Sequence, residues 1–247
     1  MIKAENISFC YGKKQVLNDV SAQFHKGEIC CVLGVNGCGK TTLLKLLGRR
    51  LKAQSGTLSL DGRDYDVFEG KEFAAFVSSL PQSRTLPSIR AEELVAHGRY
   101  PYLGFSRRLR EEDKAAVKKA IELTGIAEFR DKNVNALSGG ERQRVYIAML
   151  LAQNTPYVLL DEPTTFLDIR HAMDITRLMT EMKTQGKGVV AVMHDLPSAL
   201  KIADRILLLD SGRVAFSGSA DELLAGGYIE KVFSVRCRRV EGEYFFE

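Results

Sequence analysis

The sequence predicts an α/β fold built on a mostly parallel sheet. Three observations carry this. Apolar, strand-like runs alternate with helix-like stretches. The glycine-rich loop Gly34-Val35-Asn36-Gly37-Cys38-Gly39-Lys40-Thr41 joins one such run to a leucine-lined helix. A block of helix-like segments, about residues 83–154, interrupts the strands as an insertion would.

Each element has its own reason. Ile2 to Phe9 alternates loosely, as a half-buried strand does. Glu28 to Leu33 is a nearly continuous apolar run ending at Gly34, the mark of a strand covered on both faces. Leu43, Leu44, Leu47 and Leu51 then fall at helical spacing. Thr57 to Leu60 with Asp61-Gly62 reads as strand and turn, and Phe76 to Leu80 as a short strand closed by Pro81-Gln82. Ala91 to Arg99 and Glu111 to Thr124 are helix-like, the second stopped by Gly125. Arg142 to Gln153 places Val145, Ala148, Met149 and Ala152 on one face. Tyr157 to Leu160 and Val189 to Met193 are strands, and Ile206 to Phe216 is a hairpin turning at Ser211-Gly212. The end from Ser219 holds one short helix and an irregular, charged tail. This divides the chain into a core lobe (about 1–82 and 155–218), a helical subdomain (about 83–154) and a tail (about 219–247).

The 247 residues suit one domain with an ample core. No apolar run reaches the roughly 20 residues that span a bilayer. The first residues, Met1-Ile2-Lys3-Ala4-Glu5, lack the apolar stretch of a secretory signal. A net charge of +4 is too mild to predict a nucleic-acid partner. The five cysteines show neither zinc-like nor redox spacing, which predicts a reducing compartment.

The loop Gly34 to Thr41 fits G-x-x-x-x-G-K-[ST] in full. Its glycines let backbone N–H groups turn toward phosphate, and the next helix aims its positive end at the same anion. Lys40 is expected at the β- and γ-phosphates of ATP and the Thr41 hydroxyl on Mg²⁺. Asp161-Glu162 closes an apolar strand at its ligand-binding edge. Asp161 is expected to hold Mg²⁺ through water, and Glu162 to take the proton of the attacking water. Alone, that pair would read as a strand leaving through two acids.

Ser138-Gly139-Gly140-Glu141 fits a capping box. Glycine in a first turn weakens a helix, so capping alone does not ask for two. They open backbone N–H groups to an anion. A chain that already has a phosphate loop has use for a second anion site if that site serves the nucleotide of another copy.

With these residues the chain resembles the ATP-binding subunits of ABC transporters, over residues 2 to about 235. That resemblance implies a P-loop NTPase (RecA-like) parallel-sheet core with an antiparallel β subdomain and a helical insertion. It implies Tyr11 as the ring stacked on adenine, and Gly34, Asn36, Gly37, Cys38, Gly39, Lys40, Thr41 and Thr42 as the phosphate loop. It implies Gln82 at nucleotide and Mg²⁺, Leu137 to Glu141 as the signature contacting ATP in trans, Asp168 as the dimer loop and His194 as the switch histidine. By residue type alone Tyr11 would be a packing tyrosine, Gln82 a turn residue, Asp168 a cap and His194 a structural histidine. His25, His97 and His171 read as surface or packing residues. Cys38 stands where the family often has Ser; at a helix N-terminus its pKa is expected to fall, making it reactive toward maleimide.

Arg99 to Gly104, Pro163 to Ile169 and His194-Asp195-Leu196 resemble the importers of iron–siderophore complexes, haem and cobalamin. The implied partners are a second copy, integral-membrane permease subunits and, indirectly, a substrate-binding protein, at the cytoplasmic face of the inner membrane. The competing reading is a soluble ABC ATPase of translation or DNA repair, or one serving another substrate. Such soluble proteins usually carry two ATPase domains or a long coiled-coil insertion, neither of which is present.

Overall fold

The computed structural model describes residues 1–80, 87–104, 108–165, 167–240 and 243–247. β1 (Ile2–Tyr11) and β2 (Lys14–Phe24) pair antiparallel, and β3 (Ile29–Leu33) leads through the glycine loop into α1 (Lys40–Leu47). β4 (Ser55–Leu60) and β5 (Arg63–Asp64) follow, and α2 (Gly70–Phe76) runs directly into β6 (Val77–Leu80). Between β6 and the next strand stand α3 (Ala91–His97), α4 (Glu111–Thr124) and α5 (Gly139–Gln153). Next come β7 (Tyr157–Asp161), α6 (Ile169–Thr184), β8 (Gly188–Val192), α7 (Leu196–Ile202), β9 (Arg205–Asp210) and β10 (Arg213–Gly218). The chain closes with α8 (Ala220–Ala225), α9 (Tyr228–Phe233), β11 (Cys237–Val240) and β12 (Glu243–Phe246).

Six strands form the central sheet in the order β10-β9-β3-β8-β7-β6, parallel except for β10. A second, antiparallel sheet has the order β2-β1-β4-β5. The continuous apolar runs are explained by burial on both sides. On β3, Ile29, Cys31 and Leu33 face the core shared with the helices, while Cys30 and Val32 face the core under the antiparallel sheet and α1. β7 divides likewise, Val158 and Leu160 against Tyr157 and Leu159.

α4 has the span expected of it. The Asp113 carboxylate accepts the Arg110 backbone N–H at 3.0 Å to start it, and Gly125 at φ 62° ends it. α5 begins three residues before the expected Arg142, because the capping box starts the helix at its glycines. The antiparallel sheet implied by the resemblance is present. Residues 14–24, to which the sequence pattern assigns no element, form β2. Asn6 (φ 52°) and Asp19 (φ 58°) adopt left-handed conformations that shift the β1–β2 register and break the two-residue period.

The tail departs from expectation. Instead of one short helix and irregular chain it forms α8, α9 and a β11–β12 hairpin. α8 starts on a capping box in which Ser219 and Glu222 bond each other's backbone N–H. The hairpin rests on α7: Lys201 donates to Glu243 at 2.6 Å and the Tyr244 hydroxyl donates to the Leu200 carbonyl at 3.4 Å.

Parallel register sets where the site lies. Val192 of β8 pairs with Val32 on one side and Asp161 on the other. The glycine loop, Glu162 and His194 therefore leave the sheet together, at the C-terminal edge where open α/β sheets bind ligands.

Candidate functional site

The glycine loop turns because its glycines take positive φ: Gly34 at 146°, Gly37 at 81° and Gly39 at 109°. A Cβ on Gly34 would lie 2.2 Å from the Leu209 carbonyl oxygen, and one on Gly39 would lie 2.5 Å from Leu17 Cδ2, so neither position admits a side chain. α1 then starts with no side-chain cap and no acid in its first turn. Its orphan N–H groups and positive dipole end are left for an anion. Lys40 is buried, its ammonium donating to the Gly34 carbonyl at 2.7 Å and the Val35 carbonyl at 3.1 Å. The lysine is thereby held over the mouth of the loop.

Cys38 corrects an expectation. It is 3% exposed, packed under Gly34, and burial raises its pKa, with the nearby Lys40 charge only partly opposing. Desolvation outweighs the helix end, and this thiol is not the reactive group expected from the sequence.

The Thr41 hydroxyl donates to Asp161 Oδ1 at 3.1 Å, joining the loop to the end of β7. Asp161 is buried, and burial pushes its carboxyl above the usual Asp value despite that bond. A buried carboxylate beside a hydroxyl is an all-oxygen donor pair that fits Mg²⁺. Among the described residues no three His, Cys, Asp or Glu side chains converge on a metal site.

The raised Asp161 pKa bears on stability. Its stabilising contribution is present below the ordinary Asp value and is lost as pH rises through the folded one. At neutral pH, Asp161→Asn is therefore expected to raise the Tm of the nucleotide-free protein, by about 2–4 °C for each kcal/mol relieved, and to remove stabilisation by Mg²⁺ with nucleotide. Differential scanning fluorimetry checks both; an unchanged or lowered Tm contradicts the first.

Glu162 has a left-handed backbone, φ 50°, with its N–H bonded to the Val192 carbonyl at 3.1 Å. That conformation turns its side chain out of the strand. Its carboxylate lies 2.5 Å from His194 Nε2 and accepts the Thr165 hydroxyl at 3.2 Å. His194 sits two residues beyond β8, so two adjacent parallel strands deliver the pair.

Ser138 and Glu141 close the box read from sequence. Ser138 N–H donates to Glu141 Oε2 at 2.8 Å, and Glu141 N–H to Ser138 Oγ at 3.3 Å. The first of these bonds holds the Glu141 carboxyl below its usual value. Ser138 and Gly139 are exposed. Among the described residues no hydrogen bond or ion pair joins this turn to the glycine loop of the same chain. The turn is tied instead to the segment after β7, where Gln143 donates to the Pro163 carbonyl at 2.7 Å.

Asp168 caps α6, accepting the His171 N–H at 2.9 Å, and the bond lowers its pKa. Tyr11 is 48% exposed at the end of β1, edge-on to Phe9 with ring centroids 5.0 Å apart. Gln82 lies outside the described residues. Sequence reasoning misses Gln143 and gives His171 no more than a surface or packing role. The first stands one helical turn beyond Gly139 and the second at cap spacing from Asp168, and those two spacings are the available signal.

The Arg99 to Gly104 segment is structural in its contacts. Arg99 is buried, bonded to Asp113 at 2.8 Å and to the Ala152 carbonyl at 2.8 Å, with its guanidinium 4.0 Å from the Tyr102 ring centroid. The Tyr102 hydroxyl donates to the Gln153 carbonyl at 2.7 Å.

Comparison with known proteins supports the same reading. The family model described as "ABC transporter" matches residues 17–165. Ferric enterobactin transport ATP-binding protein FepC of Escherichia coli (strain K12) is 39% identical over 97% of this chain and 89% of its own length. Hemin import ATP-binding protein HmuV of Streptomyces coelicolor is 41% identical over 90% of this chain and 79% of its own. Among solved structures, the ADP conformation of an ATP-binding cassette from an ABC transporter superposes with a TM-score of 0.83 at 23% identity, covering 95% of this chain and 98% of that one. A dimeric bacterial ABC transporter cassette superposes with a TM-score of 0.78 at 27% identity, covering 89% and 99%.

Proposed function

Since the chain belongs to the ABC transporter family and is one of its ATP-hydrolysing subunits, we propose that it powers import of an iron chelate (a siderophore complex or haem) or of cobalamin through an integral-membrane permease. The named relatives are ATP-binding proteins of ferric enterobactin transport and of hemin import, which supports the iron-chelate part. The cobalamin part rests on the resemblance carried by Arg99 to Gly104, Pro163 to Ile169 and His194-Asp195-Leu196. The permease partners, a substrate-binding protein feeding them, and a place at the cytoplasmic face of the membrane belong to the same proposal. No described helix is long and apolar enough to cross a membrane.

The observation that carries the mechanism is the meeting of Thr41, Asp161, Glu162 and His194 at one sheet edge. The glycine loop and the α1 N-terminus bind the triphosphate, Lys40 turns from the loop carbonyls to the terminal phosphates, and Tyr11 stacks on the base. Thr41 and Asp161, with Gln82, would hold Mg²⁺. When bound, that ion neutralises phosphate charge. Glu162 accepts the proton of the attacking water, and His194 holds its carboxylate in line and contacts the γ-phosphate. Ser138, Gly139 and Gly140 of a second copy close over the same triphosphate, and Asp168 lies between the copies.

The test is reconstitution with the permease and its binding protein in liposomes. ATP inside is expected to drive uptake of ⁵⁵Fe-chelates, haem or cobalamin, with phosphate released. Association with ribosomes or DNA and no membrane partner would overturn the importer reading in favour of a soluble ABC ATPase.

A further inference from the structure

We propose that His171 is a positioning residue: its imidazole joins the Asp168 loop to the Ser138–Gly140 turn within one chain and sets the pose in which that turn meets the nucleotide of a second copy. The proposal rests on the reading above that the turn works in trans.

The geometry is specific. His171 stands in the first turn of α6 with its side chain 27% exposed. Its Nδ1 lies 2.8 Å from both carboxylate oxygens of Asp168, while its backbone N–H is capped by the same group at 2.9 Å. One carboxylate thus fixes both the start of α6 and the orientation of the ring. The ring lies flat against Gly140. A Cβ at Gly140 would come within 2.8 Å of His171 Cγ and Cδ2 and 3.0 Å of Nδ1. A Cβ at Gly139 would meet nothing within 4 Å.

The two glycines therefore do different work. Gly139 leaves an open face for an anion. Gly140 in addition admits a neighbouring ring, which a Cβ there would force to shift. The Gln143 bond to Pro163 is a second tie between the same two segments. Through these contacts a displacement of Asp168 at the dimer boundary moves the anion-binding turn with it, in a protein whose packed segments transmit strain.

The experiment uses ATP-driven dimerisation of the full chain in a Glu162→Gln background, followed by analytical ultracentrifugation. His171→Ala is expected to leave the Tm and the nucleotide affinity of the dilute monomer unchanged. It is expected to raise the protein concentration for half-dimerisation about tenfold. With Glu162 intact, the turnover lost in His171→Ala should return at high protein concentration, which a merely structural defect would not do. Gly140→Ala should show the same weakening, yet add little in the His171→Ala background, where the missing ring leaves room for the methyl. An equal penalty for Gly140→Ala with and without the ring, or unchanged dimerisation in His171→Ala, overturns the proposal while leaving the trans reading intact. A parent that stays monomeric with ATP overturns both.

Discussion

Glu162→Gln is expected to lose turnover by about 10²- to 10⁴-fold, the usual contribution of a positioned general base, while ATP affinity is retained. The amide keeps the volume of the carboxylate and can still meet His194 and Thr165, its present partners. It cannot take a proton from water. Bound ATP then persists, and the protein should elute as a dimer in ATP and as a monomer in ADP. Phosphate release and size exclusion read the two halves separately. Activity close to wild type would remove Glu162 from its role and pass the base to another group at the same edge.

The second large effect is on stability. Arg99→Ala should cost about 3–5 kcal/mol, because it strands the Asp113 carboxylate, whose side chain is 0% exposed. It also removes the bond to the Ala152 carbonyl and the stacking on Tyr102. Burial alone would raise the Asp113 pKa, but the Arg110 backbone N–H and the Arg99 guanidinium overcome it and hold the carboxyl below its ordinary value. The sign follows: the contribution is present above the unfolded Asp pKa and is lost as pH falls through the folded one. Urea unfolding at pH 7 should show a lowered midpoint in Arg99→Ala, with the difference from wild type shrinking in strong acid. The double variant Arg99→Met/Asp113→Leu should recover only part of the loss, since paired apolar replacements are often neutral but this one also removes the Asp113 cap on the Arg110 N–H. A midpoint unchanged in Arg99→Ala contradicts the account.

Much of this was open to reading in advance, for reasons that differ by element. β3, β7 and β8 announce themselves because both faces are covered, so nothing polar interrupts them. The phosphate loop is legible because its backbone tolerates only glycine at Gly34 and Gly39. β2 is hidden because the left-handed Asp19 breaks its alternation. α6 receives no element from the sequence pattern, although Ile175, Leu178, Met179 and Met182 fall at helical spacing and are all buried. The terminal hairpin is harder, since its strands are four residues each and its faces are held by a few contacts to α7. Cys38 shows the limit of local reasoning. Its position at a helix start points one way and its burial, a property of the whole fold, points the other. The same holds for Gly140, whose need for an absent side chain comes from a ring 31 residues away in sequence.

The left-handed backbone at Glu162 has a consequence for any effort to make this protein more heat-resistant. An L-residue with a branched or long side chain holds that conformation at a cost of roughly 1–2 kcal/mol, which glycine does not bear. A library sorted only for survival at high temperature will therefore favour the change Glu162→Gly and collect robust, inert cassettes. Robustness and chemistry pull in opposite directions at this codon, so a useful screen must score both.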